Sequence, residues 1–184
     1  MGSGLSKNES VETERLVLRQ LERRDSLDMF ALKSNNKTAQ HTDNEAYTSI
    51  GQAETFIDYI ISGSEAGRWL YFVIEAKETR EFIGTITLWN FNDNKTVAEV
   101  GYEMIERFEG HGYMSEALRA VLEIGFEELG LARIEAFTSK ENLQSIRLLE
   151  KNGFKKEIDV LDDLSRMPTR FVIMSLTKEG WSDF

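Results

Sequence analysis

The run Tyr102-Glu103-Met104-Ile105-Glu106-Arg107-Phe108-Glu109-Gly110-His111-Gly112-Tyr113-Met114-Ser115 holds residue types that could do chemistry. It joins a strand-like stretch to a helix-like one through two glycines one residue apart. A helix start exposes unpaired N–H groups and the positive end of the helix dipole, which suits an anion such as phosphate. Glycine lets the backbone approach such a group at positive φ, and Arg107 at the loop entrance adds charge. Neither common nucleotide fingerprint fits. Ser115 stands where the third glycine of G-x-G-x-x-G would fall, and no Gly-Lys-Ser/Thr follows. On the loop alone, a tight turn and a phosphate cradle are equally good readings.

Upstream, Glu99, Gly101 and Glu103 alternate with Ala98, Val100, Tyr102 and Met104, so two carboxylates share one face of a strand. They are candidates for a general base, or simply solvated side chains. His111 and His41 are the only two histidines and lie far apart without a clear carboxylate partner, so no metal site is expected. The chain has no Cys, which excludes a disulfide framework, a thiolate zinc site and a cysteine nucleophile.

The elements that must position these residues follow from periodicity. Glu14 to Gln20 reads as a first strand, and Asp25 as the N-cap of a short helix with Leu27, Phe30 and Ala31. Ser34 to Thr48 is polar and without a period, a loop with turn formers Asn35, Asn36, Asp43 and Asn44. From Gln52 to Glu65, Ala53, Phe56, Ile57, Ile60 and Ile61 form one helical stripe. Strands are predicted over Trp69–Ala76, Phe82–Phe91 and Thr96–Ile105, joined by the tight connections 77–80 and 92–95 into an antiparallel meander. A helix from Met114 to about Gly130, a strand Arg133–Thr138, a helix Asn142–Asn152 closed by Gly153, and strands Phe154–Leu161 and Thr169–Thr177 complete the order. This is an α/β chain: one mixed sheet of about seven strands with helices on both faces.

With 184 residues and a net charge of -10, the chain is expected to be a flexible tail over residues 1–10 and a single domain over 11–184. An acidic balance argues against nucleic-acid binding and leaves room for a basic acceptor. No run is apolar enough to span a bilayer and no secretory leader is read at the N-terminus, so a cytoplasmic protein with no membrane partner is expected. Met1-Gly2-Ser3-Gly4-Leu5-Ser6 formally fits N-myristoylation but reads better as an ordinary tail, because no polybasic second signal follows.

The segment Asn142-Leu143-Gln144-Ser145-Ile146-Arg147-Leu148-Leu149-Glu150-Lys151-Asn152-Gly153-Phe154, taken with the glycine loop, resembles the GNAT (Gcn5-related N-acetyltransferase) superfamily. Thr13–Arg19, Ala98–Tyr102 and Ser175–Trp181 agree, and point to the branch similar to the bacterial ribosomal-protein-alanine N-acetyltransferases. The resemblance spans about residues 11–182.

That resemblance implies the GNAT fold and an acetyl-CoA cosubstrate lying between the fourth and fifth strands. Met104 and Ile105 would bond the pantetheine arm. Arg107, Gly110, His111, Gly112, Tyr113 and Met114 would hold the pyrophosphate. Asn142 and Ser145 would face the pantetheine and thioester, and Asn142 also suits a plain N-cap. The implied reaction is attack of a neutral primary amine on the thioester in a ternary complex, the acceptor being a protein N-terminal α-amine, as in ribosomal proteins, or a small amine. Glu99 stands where the family's histone acetyltransferases carry their base and is the first candidate; Glu103 is the second. The His111 side chain is expected to point away from the chemistry. The family's Tyr acid is missing, Leu148-Leu149 standing there, so Ser145, water or Tyr102 must serve the leaving thiolate. A sensor that binds acyl-CoA without turnover is the alternative, and a homo-oligomer is compatible with either. Acceptor choice would fall to Ser34–Gly67 and to the loop with Asp162 and Asp163. The excess acid is expected at the acceptor entrance.

Overall fold

The computed structural model describes residues 10–35, 45–161 and 168–182. The expected tail at Met1–Ser6, His41, the turn formers Asn36, Asp43 and Asn44, and Asp162 and Asp163 lie outside the described residues.

The strands are β1 (Val11–Glu12), β2 (Leu16–Gln20), β3 (Leu70–Ala76), β4 (Phe82–Trp89), β5 (Val97–Met104), β6 (Arg133–Ser139), β7 (Lys155–Leu161) and β8 (Pro168–Thr177). They form one sheet in the order β1-β2-β3-β4-β5-β6-β8-β7. The meander β3-β4-β5 is antiparallel, and the β5-β6 pair is parallel, as a strand, helix, strand passage requires. The helices are α1 (Ser26–Lys33), α2 (Ile50–Glu65), α3 (Tyr113–Glu123), α4 (Leu143–Lys151) and α5 (Lys178–Ser182). After Glu123, α3 continues as a π-helical turn, Ile124–Glu128.

Alternation along β3 makes the two-sided packing explicit. Phe72 and Ile74 join the core that also holds Leu118, Val121 and Leu122 of α3 and Leu149 of α4. Tyr71 and Val73 join a second core with Met29 and Leu32 of α1 and Ala53, Ile57 and Ile60 of α2. Helices therefore cover both faces, as the periodicity implies.

Three elements differ from the sequence reading. In α1 the buried positions are Met29 and Leu32, one residue before and after the expected Phe30 and Ala31, while Leu27 is exposed. The first strand begins at Leu16, because Thr13, Glu14 and Arg15 form a turn in which Thr13 N–H donates to Leu16 O (3.0 Å), with the short strand β1 before it. The segment after Thr177 coils into α5.

Gly84 faces Met104 across the β4-β5 pair. A Cβ there would lie 2.2 Å from the Glu103 carbonyl oxygen and 2.9 Å from Met104 Cα. Only a residue without a side chain lets the strands approach so closely. Gly84→Ala is expected to destabilise the fold by about 1–3 kcal/mol. Because the strain falls on the Glu103-Met104 end of β5, CoA affinity should fall as well; thermal melts and calorimetric CoA titration check both.

Candidate active site

β5 and β6 pair only from Val97/Arg133 to Glu99/Glu135 and then diverge. The edge of β5 from Val100 onward thus faces β6 with no strand partner, and a cavity of about 310 Å³ opens there. Its walls are Val100, Gly101, Tyr102, Glu103 and Met104 of β5, Ala136, Phe137 and Thr138 of β6, the glycine loop with the start of α3, and one face of α4.

Gly110 (φ 77°) and Gly112 (φ 81°) are both left-handed, so the loop needs glycine at both positions. Gly112 is the N-cap of α3, and the first helical bond runs from Glu116 N–H to Gly112 O (3.1 Å). The amides of Tyr113, Met114 and Ser115 therefore lack a helical partner, and Gly110, Gly112, Met114 and Ser115 all line the cavity. That is the donor set an anion needs.

A second layer braces this loop. Arg15 donates from Nη1 to His111 O (2.9 Å) and from Nε to Glu116 Oε2 (2.7 Å), and its guanidinium lies 4.6 Å from the Tyr113 ring centroid. Burial works against ionisation of Glu116. Hydrogen bonds from Thr13 and from the Arg15 amide and guanidinium outweigh it and hold the carboxyl below its usual range.

On α4, Asn142 is the N-cap: its Oδ1 accepts from Ser145 N–H (3.1 Å), and the residue lines the cavity as well, so capping and contact coexist. Ser145 is 8% exposed, and its Oγ lies 2.8 Å from the Tyr102 hydroxyl. Burial pushes the Tyr102 phenol up to about 12, partly offset by the hydrogen bond with Ser145. Tyr102 therefore stays protonated near neutral pH.

The carboxylates separate. Glu103 lines the cavity, and its Oε2 is 2.5 Å from Lys33 Nζ. Glu99 sits at the last paired position, one residue before the cavity lining begins and outside it, with Asn90 Nδ2 3.4 Å from its Oε2. Burial raises the Glu99 carboxyl; the Asn90 hydrogen bond lowers it and neighbouring Glu135 raises it further.

The structure brings together Glu103, Met104, Gly110, Gly112, Met114, Asn142 and Ser145 around the cavity. It places Ile105, Arg107, His111 and Tyr113 around the loop but not in that lining. Ile105 N–H is taken by Ile83 O (2.9 Å). Arg107 turns to Glu81 (3.4 Å) and over the Phe108 ring, and its side chain is 63% exposed. His111 Nδ1 meets Phe108 O (3.2 Å), and its ring stacks on Tyr113. Sequence reasoning missed Arg15 and Lys33, whose partners are remote in the chain. It also missed Gln144, Leu148 and Lys151, which the i, i+4, i+7 spacing from Gln144 could have placed on the cavity face of α4. Among the described residues no cluster of His, Cys, Asp or Glu could hold a metal ion.

Residues 15–155 match the family model described as an acetyltransferase (GNAT) domain. The chain is 37% identical over 147 residues to the uncharacterized N-acetyltransferase YoaA of Bacillus subtilis (strain 168), covering 80% of this chain and 83% of that protein. The fold matches that of RimL, a ribosomal L7/L12 α-N-protein acetyltransferase solved with coenzyme A, with a TM-score of 0.80 at 20% identity over 92% of this chain and 98% of that one. It also matches spermidine N-acetyltransferase from Vibrio cholerae, solved with CoA and spermine, with a TM-score of 0.78 at 22% identity over 92% and 99% of the two chains.

Proposed function

The chain belongs to the GNAT acetyltransferase family and is an acetyl-CoA-dependent N-acetyltransferase, and from that premise we propose how its own residues transfer acetyl to a primary amine. The acceptor is a protein N-terminal α-amine, as in ribosomal proteins, or a small amine. One observation carries this reading: the parting of β5 from β6 beyond Glu99, with unpartnered amides along β5 and at the start of α3 lining the same cavity.

Acetyl-CoA supplies the activated thioester. The amides of Gly112, Tyr113, Met114 and Ser115 hold its pyrophosphate, with Arg15 and Glu116 keeping the loop in shape. Arg107 must leave Glu81 to reach a phosphate, an exchange of one exposed ion pair for another that costs little. The β5 edge near Met104 bonds the pantetheine arm and stabilises negative charge developing on the thioester oxygen. The acceptor enters from the opposite face of the sheet, where Glu99, Glu103 and Glu135 lie, so the excess of acid is put to use there. Glu99, directly or through water, takes a proton from the acceptor's ammonium, and the neutral amine so formed attacks the thioester carbonyl. Ser145, held by Asn142 and Tyr102, donates a hydrogen bond to the departing thiolate, whose ordinary pKa of about 8.5 lets it leave without full protonation.

The direct test is release of CoA from acetyl-CoA across a panel of peptides with free N-termini and small amines. Turnover with at least one primary amine, and none with its N-acetylated form, is the expected result. CoA binding without turnover on any amine would contradict the proposal.

A further inference from the structure

Opposite the CoA-facing side of β5, the structure holds an ammonium in an acidic and aromatic box. Lys33 Nζ, at the last turn of α1, lies 2.5 Å from Glu103 Oε2 and 4.7 Å from the Phe56 ring centroid. The two side chains are only 15% and 12% exposed. Phe56 meets Tyr47 and Tyr71 edge-on, at 6.4 and 6.1 Å between centroids. The backbone clamps the same corner, Tyr47 N–H donating to Lys33 O (3.0 Å). The Tyr71 hydroxyl is buried here with no hydrogen-bond partner among the described residues. A carboxylate, an aromatic face and a spare hydroxyl are what a cationic nitrogen needs in place of water. Glu103 lines the transfer cavity and is the neighbour of Met104 on one strand, so the box lies within a short alkyl chain of the reacting centre.

We infer that the box of Glu103, Phe56, Tyr47 and Tyr71 is a cation subsite of the acceptor pocket, and that Lys33, by filling it with the chain's own ammonium, is a specificity-determining residue that turns away acceptors with a second cationic nitrogen. The inference rests on the acetyltransferase reading and names the acceptor class of that same site: monoamines, whose single nitrogen goes to the thioester. The physical reason is competition. A tethered ammonium acts at an effective concentration of roughly millimolar or above. A diamine must displace it, while a monoamine has no group to place in the box. Removing Lys33 leaves the Glu103 carboxylate little exposed and unpaired, a strong incentive to accept an outside cation.

The experiment compares butylamine with 1,4-diaminobutane as acceptors of wild type, Lys33→Met and Lys33→Arg, at saturating acetyl-CoA. Wild type and Lys33→Arg should favour butylamine in kcat/KM. Lys33→Met should raise kcat/KM for the diamine about tenfold or more while butylamine stays within about threefold. Adding Glu103→Gln to Lys33→Met should abolish the gain, and Lys33→Gln replaces the Met variant should that one fail to fold. An unchanged ratio of diamine to monoamine in Lys33→Met, or a wild type that already favours the diamine, overturns the inference. Calorimetric titration of 1,4-diaminobutane into the full-length enzyme with CoA gives a readout independent of turnover: binding about tenfold tighter in Lys33→Met supports the subsite, and equal affinity overturns it. Absence of turnover with every amine would count against the transfer reaction alone.

Discussion

Glu99→Gln is expected to lower kcat by roughly 10² to 10³-fold and to remove the acid limb of the pH–rate profile. The base must be ionised to accept a proton, so in wild type the rate falls as pH falls through the Glu99 pKa. Burial, assisted by Glu135 and opposed by Asn90, raises that pKa, so the limb should lie above the ordinary carboxylate range. A raised carboxyl pKa also makes Glu99 a stronger base once ionised, which suits it to an ammonium proton. Glu103 is the weaker candidate for geometric reasons. Its carboxylate is already engaged by the Lys33 ammonium and is not free to face the acceptor nitrogen. Glu103→Gln should therefore alter acceptor KM and leave the limb in place. Measuring kcat against pH for both variants separates the roles; a limb that persists in Glu99→Gln removes Glu99 from proton transfer.

Ser145→Ala should cost roughly 10²-fold in kcat with little change in the Kd of CoA, since it deletes a donor needed only as negative charge develops on sulfur. Tyr102→Phe should cost less, about tenfold, because the phenol acts through Ser145 by holding its Oγ at 2.8 Å. With its pKa pushed up to about 12, Tyr102 stays protonated and is a poor proton source, so it should add no basic limb near neutral pH. The double variant should lose no more than Ser145→Ala alone, the sign of two residues working as one unit. Stopped-flow or steady-state CoA release, with CoA binding measured separately, reads all three variants. A larger loss in Tyr102→Phe than in Ser145→Ala would reverse the assignment.

Much of the frame is legible in the sequence. The stripe Ala53-Phe56-Ile57-Ile60 and the alternation in β3 to β5 report burial directly, because period follows face. The strand, glycine loop and helix likewise imply free amides from local geometry alone. What stayed hidden depends on partners distant in sequence. Arg107 is a reasonable phosphate ligand until Glu81, on the β3-β4 hairpin, is seen to hold it. Nothing local in Arg15 shows that, from the turn before β2, it reaches out to brace His111 and Glu116. The Lys33–Glu103 pair is of the same kind: each residue alone reads as a surface charge, and only the fold, which brings the end of α1 to the Glu103 carboxylate, makes them a low-exposure ion pair. β1 and α5 are too short, two and five residues, for period to show. Tyr102 was visible as a stand-in for the missing acid only because alternation on β5 puts it opposite Glu103.

Without cysteine there is no thiol to carry the acetyl group between two half-reactions, and the cavity joins the CoA-facing loop to the face that bears Glu103. The central claim is thus direct transfer with both substrates bound. Initial velocities measured while acetyl-CoA and a primary-amine acceptor are varied together test it most directly. Intersecting double-reciprocal lines are predicted; parallel lines, the pattern of an acetyl-enzyme intermediate, would contradict it.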